Sequence, residues 1–269
     1  MSRIESKGRW MRRGDRTMRA GEDILGVWRR FDGLPMDNLV KAWHYERAGV
    51  KKQRSVEEMR EHREAYGLGG NCFDLALWLL TDFRAAGIEA YPIGSKLGTE
   101  QAHAAVLAID ENGRRFLCDL GDQWIQPILA ETQDEAFLDE PQHAFFPGAD
   151  VQLSAEPDGL TVIYQRPGGK LSVQKYSLEP VDLSEFWQAA EYSQHQLGKT
   201  PMIEVRVAHE GELAHWEFND WQSELSTTAG LINEEPAPSL DAWIERIHAR
   251  SGYDRDIVEF ALSFYKSLE

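Results

Sequence analysis

The 269-residue sequence predicts an α+β fold with an N-terminal helical domain, a central small β-barrel or curled sheet, and a final third that mixes helices with strands. Three observations predict it. Apolar residues recur at a helical period as far as Gly87, the period then shortens towards two, and beyond Asp182 the two periods alternate. The boundaries follow as residues 1–20 for a basic, flexible arm, 21–87 for the helical domain, 88–181 for the β-barrel domain and 182–269 for the α/β domain.

Composition narrows the function. With 42% hydrophobic residues and nine Trp the chain has ample material for a core, and most Trp fall at core-facing helical positions rather than in a ligand cage. A net charge of -16 argues against nucleic acid or an anionic membrane as partner. The two cysteines, Cys72 and Cys118, fall at a helix start and in a strand, so no disulfide framework is expected and a reducing compartment fits. No apolar run approaches the ~20 residues of a membrane span, and no leader pattern is present. A soluble, cytoplasmic protein is expected. The arm runs against the overall charge: Arg3, Lys7, Arg9, Arg12, Arg13, Arg16 and Arg19 stand against Glu5 and Asp15, as in a solvated terminus.

In chain order, Ile24, Leu25, Trp28 and Phe31 form one helical face, ended by Gly33-Leu34-Pro35. Met36, Leu39, Val40 and Trp43 form a second. Ser55-Val56-Glu57-Glu58 is a capping box for a third helix running towards Tyr66. The fourth begins at Cys72 and carries Leu75, Ala76, Leu79, Leu80 and Phe83, with Gly87 in the place of a helix-ending glycine. Strands follow from Ile88 to Pro92 and from His103 to Ile109. A Glu111-Asn112-Gly113 turn leads into a return strand, Arg115 to Leu120. If Gly113 closes that turn in the left-handed region, Asp110 pairs with Arg114, Asp119 faces Ala105, and His103 lies diagonal to Asp119. Further strands are expected at Val151–Leu153, Leu160–Arg166 and Leu171–Leu178. The last third offers a helix capped by Asp182 or Ser184, strands at Met202–Ala208, Leu213–Phe218 and near Leu225, and a helical region capped by Ser239.

The chemistry gathers at Gly69-Gly70-Asn71-Cys72. A thiol at a helix start meets the positive end of the macrodipole and unpaired N–H groups, which favour the thiolate, the form that attacks carbon. The glycines leave room for a substrate. With His103 as base and Asp119 to orient it, Cys72 completes a nucleophile–base–acid set. No HExxH or CxxC spacing appears, so no metal is expected.

These residues also resemble a family. Leu68-Gly69-Gly70-Asn71-Cys72-Phe73-Asp74 is similar to the Arg-Gly-Gly-x-Cys-x-Glu motif of arylamine N-acetyltransferases, and Pro35-Met36-Asp37-Asn38-Leu39 to their Pro-Phe-Glu-Asn-Leu. Phe116-Leu117-Cys118-Asp119-Leu120-Gly121 resembles their Tyr-Leu-Val-Asp-Val-Gly, and Tyr176-Ser177-Leu178-Glu179-Pro180 the segment after their barrel. Leu68 stands for the motif's Arg, Asp74 for its Glu, and Gly121-Asp122-Gln123 for a Gly-x-Gly. The resemblance implies a helical domain, a β-barrel and an α/β lid around a cysteine-protease-like core. It implies Cys72, His103 and Asp119 as catalytic residues, with Gly70, Asn71, Phe73 and Gly121 against the substrates. It further implies acetyl-CoA as donor and a small aromatic amine or hydrazine as acceptor, where Asp122 sets a negative charge close to the coenzyme's phosphates. Two other readings share these residues: a transglutaminase-like hydrolase or amide synthase, and a non-catalytic binding protein on the same fold.

Overall fold

The computed structural model describes residues 18–45, 47–157, 159–198 and 201–268. The basic arm lies outside the described residues up to position 17. Met18 and Ala20, expected within it, are buried in the first core.

Helices come first. They are α1 (Glu22–Trp28), continued by a short 3-10 turn, α2 (Leu39–Tyr45), α3 (Val56–Tyr66) and α4 (Cys72–Ala85), with a two-residue strand β1 (Met36–Asp37) before α2. The Ser55 capping box on α3 is formed in both directions. A four-stranded antiparallel sheet follows, β2 (Ala90–Ser95), β3 (His103–Ile109), β4 (Arg115–Cys118) and β5 (Ile128–Leu129), in that order. A second comprises β6 (Gln142–Phe146), β7 (Ala149–Glu156), β8 (Gly159–Gln165) and β9 (Leu171–Ser177). After α5 (Leu183–Gln194), β10 (Ile203–His209), β11 (Glu212–Asn219), β12 (Gln222–Thr227) and β13 (Gly230–Asn233) form the third sheet, with β1 on its edge beside β10. Helices α6 (Leu240–Ser251) and α7 (Arg255–Ser267) close the chain. No helix among the described residues is long and apolar enough to cross a membrane.

Two expectations change. The β-barrel is not closed: the first two sheets are separate ladders, joined at their seams by single bonds such as Ile125 N–H to Phe145 O (2.8 Å) and Val181 N–H to Pro92 O (2.9 Å). The physical reason lies at the edges, where β5 is only two residues long and β6 loses register around Ala144, held at φ 66°. Those irregular strands, and short β13, left no period-2 signal. The second change concerns residues 21–87, which divide between two cores. Helices α1 and α4 pack with the first two sheets, whereas Leu39, Val40, Ala42 and Trp43 of α2 pack with the third sheet, α6 and α7. Met36, expected on a helix face, is instead a strand residue paired with Glu204.

Candidate active site

Helix α4 starts at Cys72 because Asn71 caps it. Asn71 Oδ1 accepts from the N–H groups of Phe73 (2.9 Å) and Asp74 (3.1 Å), while Asp74 returns a carboxylate oxygen to Asn71 N–H (3.2 Å). Asp74 is itself fully buried and paired with Arg54 at 2.9 Å, the two side chains being 3% and 1% exposed. Gln53 and Gln194 also donate to it, at 2.7 and 3.1 Å, and Arg54 reaches Gly69 O at 2.7 Å. Burial disfavours the Asp74 carboxylate, but Arg54 and the two amides outweigh it and hold its pKa below the ordinary range. Any side chain at Gly70 would start 2.5 Å from Arg54 and Asp74, so the glycine is there to let this pair form beneath Cys72.

The hairpin supplies the imidazole and its carboxylate. Gly113 sits at φ 77°, and the register pairs Val106 with Cys118 and Ile109 with Arg115, the register the sequence predicts. The ladder stops at Cys118, so Asp119 leaves the sheet rather than facing Ala105, and turns to His103. Its Oδ2 lies 2.5 Å from His103 Nε2, and Cys72 is the other side chain that acts on the ring. Burial works against the imidazolium of His103, yet the charge and hydrogen bond of Asp119 and the contact with Cys72 raise its pKa well above the usual histidine value. Asp119 has no exposed surface. It also accepts from Tyr176 Oη (2.6 Å) and from Asp122 N–H (2.9 Å).

Beyond Asp119 the chain must pass close to the thiol. A Cβ on Gly121 would lie 2.7 Å from Cys72 Cβ, so only glycine permits the approach. Gln123 stands in the left-handed region (φ 56°), where the resembled motif has glycine, and its amide donates to Leu120 O (3.0 Å) and Leu34 O (3.3 Å) against the local strain. Asp122 hydrogen-bonds Tyr164, which in turn accepts from Trp124 Nε1 at 2.8 Å. Burial first, and then the charge of Asp119, pushes Asp122 up to about 6. Both tyrosines are buried beside carboxylates, which raises them far above their usual values and keeps them as donors.

Cys72, His103, Asn71, Gly121 and Asp122 wall a cleft of about 660 Å³, closed on the far side by the end of α5 and the start of the third sheet. Glu100 and Glu204 add negative charge. Lys41 is the one Lys or Arg among its described lining residues; burial lowers its pKa, and its ammonium is held by Ser193 Oγ (3.3 Å) and Gln196 O (3.4 Å). Among the described residues, two groups have the composition of a divalent-cation site, with ligand atoms within 4.8 Å of one another: His103, Asp119 and Asp122, and Glu204, His215 and Glu217. Neither set is contiguous enough to register as a sequence motif.

No protein-family model and no curated protein sequence matches this chain. Solved structures do. The arylamine N-acetyltransferase of Mycobacterium smegmatis superimposes with a TM-score of 0.68 at 16% identity, covering 91% of this chain and 92% of that one. The Mycobacterium marinum arylamine N-acetyltransferase in complex with CoA gives 0.67 at 11% identity, covering 91% and 93%. That of Bacillus cereus, described as having a Cys-His-Glu catalytic triad, gives 0.60 at 16%, covering 87% and 92%. The chain has the arylamine N-acetyltransferase fold.

Within the arylamine N-acetyltransferase fold, the residues expected at the site separate into two groups. Cys72, His103, Asn71 and Gly121 line the cleft, with Asp119 buried behind His103. Gly70 and Phe73 do not line it: Gly70, ahead of the helix cap, backs onto Arg54, and Phe73 is fully buried against Phe186, because the first turn of α4 points that position into the core. Sequence reasoning missed Arg54, Gln53, Gln194 and Tyr164. The missing cation at Leu68 was the available signal, since a buried Asp74 needs a partner from somewhere.

Proposed function

We propose that this chain is an arylamine N-acetyltransferase-like enzyme that moves an acetyl group from acetyl-CoA to an aromatic amine or hydrazine through an acyl-cysteine intermediate. The observation that carries the reading is the imidazole of His103, held 2.5 Å from Asp119 and set beside Cys72 at the wall of an open cleft. His103 Nδ1 takes the thiol proton and Asp119 stabilises the imidazolium. The thiolate attacks the thioester carbonyl, forming a C–S bond, and the coenzyme thiolate leaves with the proton from His103. An amine then attacks the acyl-cysteine, gives its proton to His103 and releases the thiol of Cys72. The CoA-bound structure of the Mycobacterium marinum enzyme on this fold supports the choice of donor. A cytoplasmic location fits a free thiol as nucleophile.

A second reading keeps the acyl-cysteine and changes the donor. It is favoured by the cleft's charge, with Glu100, Asp122 and Glu204 present and Lys41 engaged, because coenzyme phosphates need free cations or N–H groups. Intact-mass measurement after incubation with acetyl-CoA, beside a Cys72→Ala control, tests the pair. One acetyl group on the wild type and none on the control supports the first reading. No adduct, with acylation by a small activated ester retained, supports the second.

A further inference from the structure

A buried lysine is rarely left without a carboxylate, and the cleft has one that is. Lys41 is 8% exposed, and among the described residues no carboxylate is in contact with its ammonium. Of its three N–H groups two go to neutral oxygens, Ser193 Oγ at 3.3 Å and Gln196 O at 3.4 Å. Both contacts are long beside the ~2.7–2.9 Å of a charge-assisted bond. The two carboxylates whose charge reaches Lys41 are committed elsewhere: Asp74 to Arg54 at 2.9 Å, and Asp37 to Tyr253 and the Val40 N–H. Such a charge is costly to bury unless something outside the chain answers it. The approach is through the cleft, which Lys41, Ser193 and Gln196 all line together with Cys72.

We propose that Lys41 Nζ, held by Ser193 and Gln196, is a carboxylate-binding site in the cleft of Cys72, and that the substrate carries an acid group on its acyl chain or on its amine. The substrate class rests on the acyl-cysteine reading above, whereas the site itself does not. One remaining N–H is little for the phosphates of a coenzyme and enough for a carboxylate, which brings one negative charge and oxygens that only accept. Glu100, Asp122 and Glu204 repel an anion from their own positions on the lining, which directs the acid towards Lys41. Cys72 is the first of the groups whose charge favours the ammonium, so the site lies within electrostatic reach of the thiol.

Two alkylating reagents read the site. Iodoacetate and iodoacetamide lose iodide to the same thiolate and differ in one group, a carboxylate against a neutral amide, so the ratio of their rates cancels any change in the thiol itself. Measured against N-acetylcysteine, wild-type Cys72 should favour iodoacetate by about tenfold, and Lys41→Met should abolish that preference. The variant should melt no lower than the wild type, because a buried unpaired charge is gone. A wild-type ratio no greater than that of N-acetylcysteine overturns the proposal without any variant. So does a preference that survives in Lys41→Met. Two further pairs locate the acid. Mono-p-nitrophenyl succinate against p-nitrophenyl acetate reads the acyl side, and 3-aminobenzoate against aniline as acceptor reads the amine side. The side whose preference disappears in Lys41→Met carries the carboxylate, and no preference on either side overturns the substrate class. An iodoacetate preference at a Cys72 that takes no acyl group from either ester overturns the acyl-cysteine reading and leaves the carboxylate site standing.

Discussion

Among the described residues two part-buried imidazole–carboxylate pairs stand on different sheets, and one of them lies beside a cysteine. His103 and Asp119 meet at 2.5 Å on the first sheet, and His215 and Glu204 at 3.2 Å on the third. Both imidazoles are opposed by burial and held above the usual histidine value by their carboxylates. The difference is in what surrounds them. His103 touches Cys72 at a 660 Å³ cleft, and the carboxylate behind it is satisfied by Tyr176 and a backbone N–H. His215 faces a cavity of about 150 Å³ shared with Arg166 and Glu217, and no cysteine lines it. The proposed function therefore assigns the chemistry to the pair that has a thiol and space for a substrate beside it, and leaves the other a structural element.

The largest expected effect separates the pairs directly. His103→Ala should lower amine acetylation about 10³- to 10⁴-fold, whereas His215→Ala should stay within about threefold per folded molecule. Steady-state rates with acetyl-CoA check both, and similar losses would erase the distinction. Asp119→Asn comes next, at about 10²- to 10³-fold. It removes the charge that raises His103, so the pH at which the His103 imidazolium loses its proton should move down. A profile that only scales, with no displacement, would contradict the orienting role. The same swap at the other pair, Glu204→Gln, should leave the profile in place.

Arg54→Met tests the foundation of the first region. It strands Asp74, whose side chain is 3% exposed, without its cation, and breaking such a buried pair from one side costs about 3–5 kcal/mol. Urea unfolding measures it, and Asp74→Leu added to Arg54→Met should recover part of the loss. A cost below about 1 kcal/mol would mean that solvent reaches the pair after all.

How much of this could be read from the chain follows the range of the interactions. Cys72 at a helix start and the Gly113 hairpin register are local, set by period and turn chemistry, and both were legible. The meeting of His103 with Asp119 was legible because sixteen residues and one turn separate them, although the end of the ladder at Cys118 gives the contact a different geometry from the diagonal one. Arg54 in place of a motif arginine at Leu68 was not, since the pair joins a loop to a helix twenty residues on and neither residue marks the other. Nor was the move of α2 into the second core, where Trp43 finds Tyr66 and His62 as edge-on neighbours. Helical period shows that a face is apolar, and says nothing of which core it joins.

The smallest expected effect concerns charge that the second region leaves in surplus. Glu204, Glu217 and Glu224 lie directly opposite one another across β10, β11 and β12, where like charges destabilise a sheet. His215, Arg166 and Lys170 face them from the same and neighbouring elements. Burial first, and then a hydrogen bond shared with Glu224, pushes Glu217 up from 4.5 to about 7, while the same bond holds Glu224 below its usual value. A carboxyl whose folded pKa is raised favours the folded state when protonated. Its contribution is therefore complete below about pH 4.5 and is lost as pH rises towards 7. Glu224, shifted the other way, offsets part of that loss. Glutamine at 217 cannot ionise, so Glu217→Gln should match the wild type at pH 5 and exceed it at pH 8 by about 1 kcal/mol, roughly 2–4 °C in Tm. Melting both proteins at the two pH values decides it. Parallel shifts would show that the three glutamates are solvated.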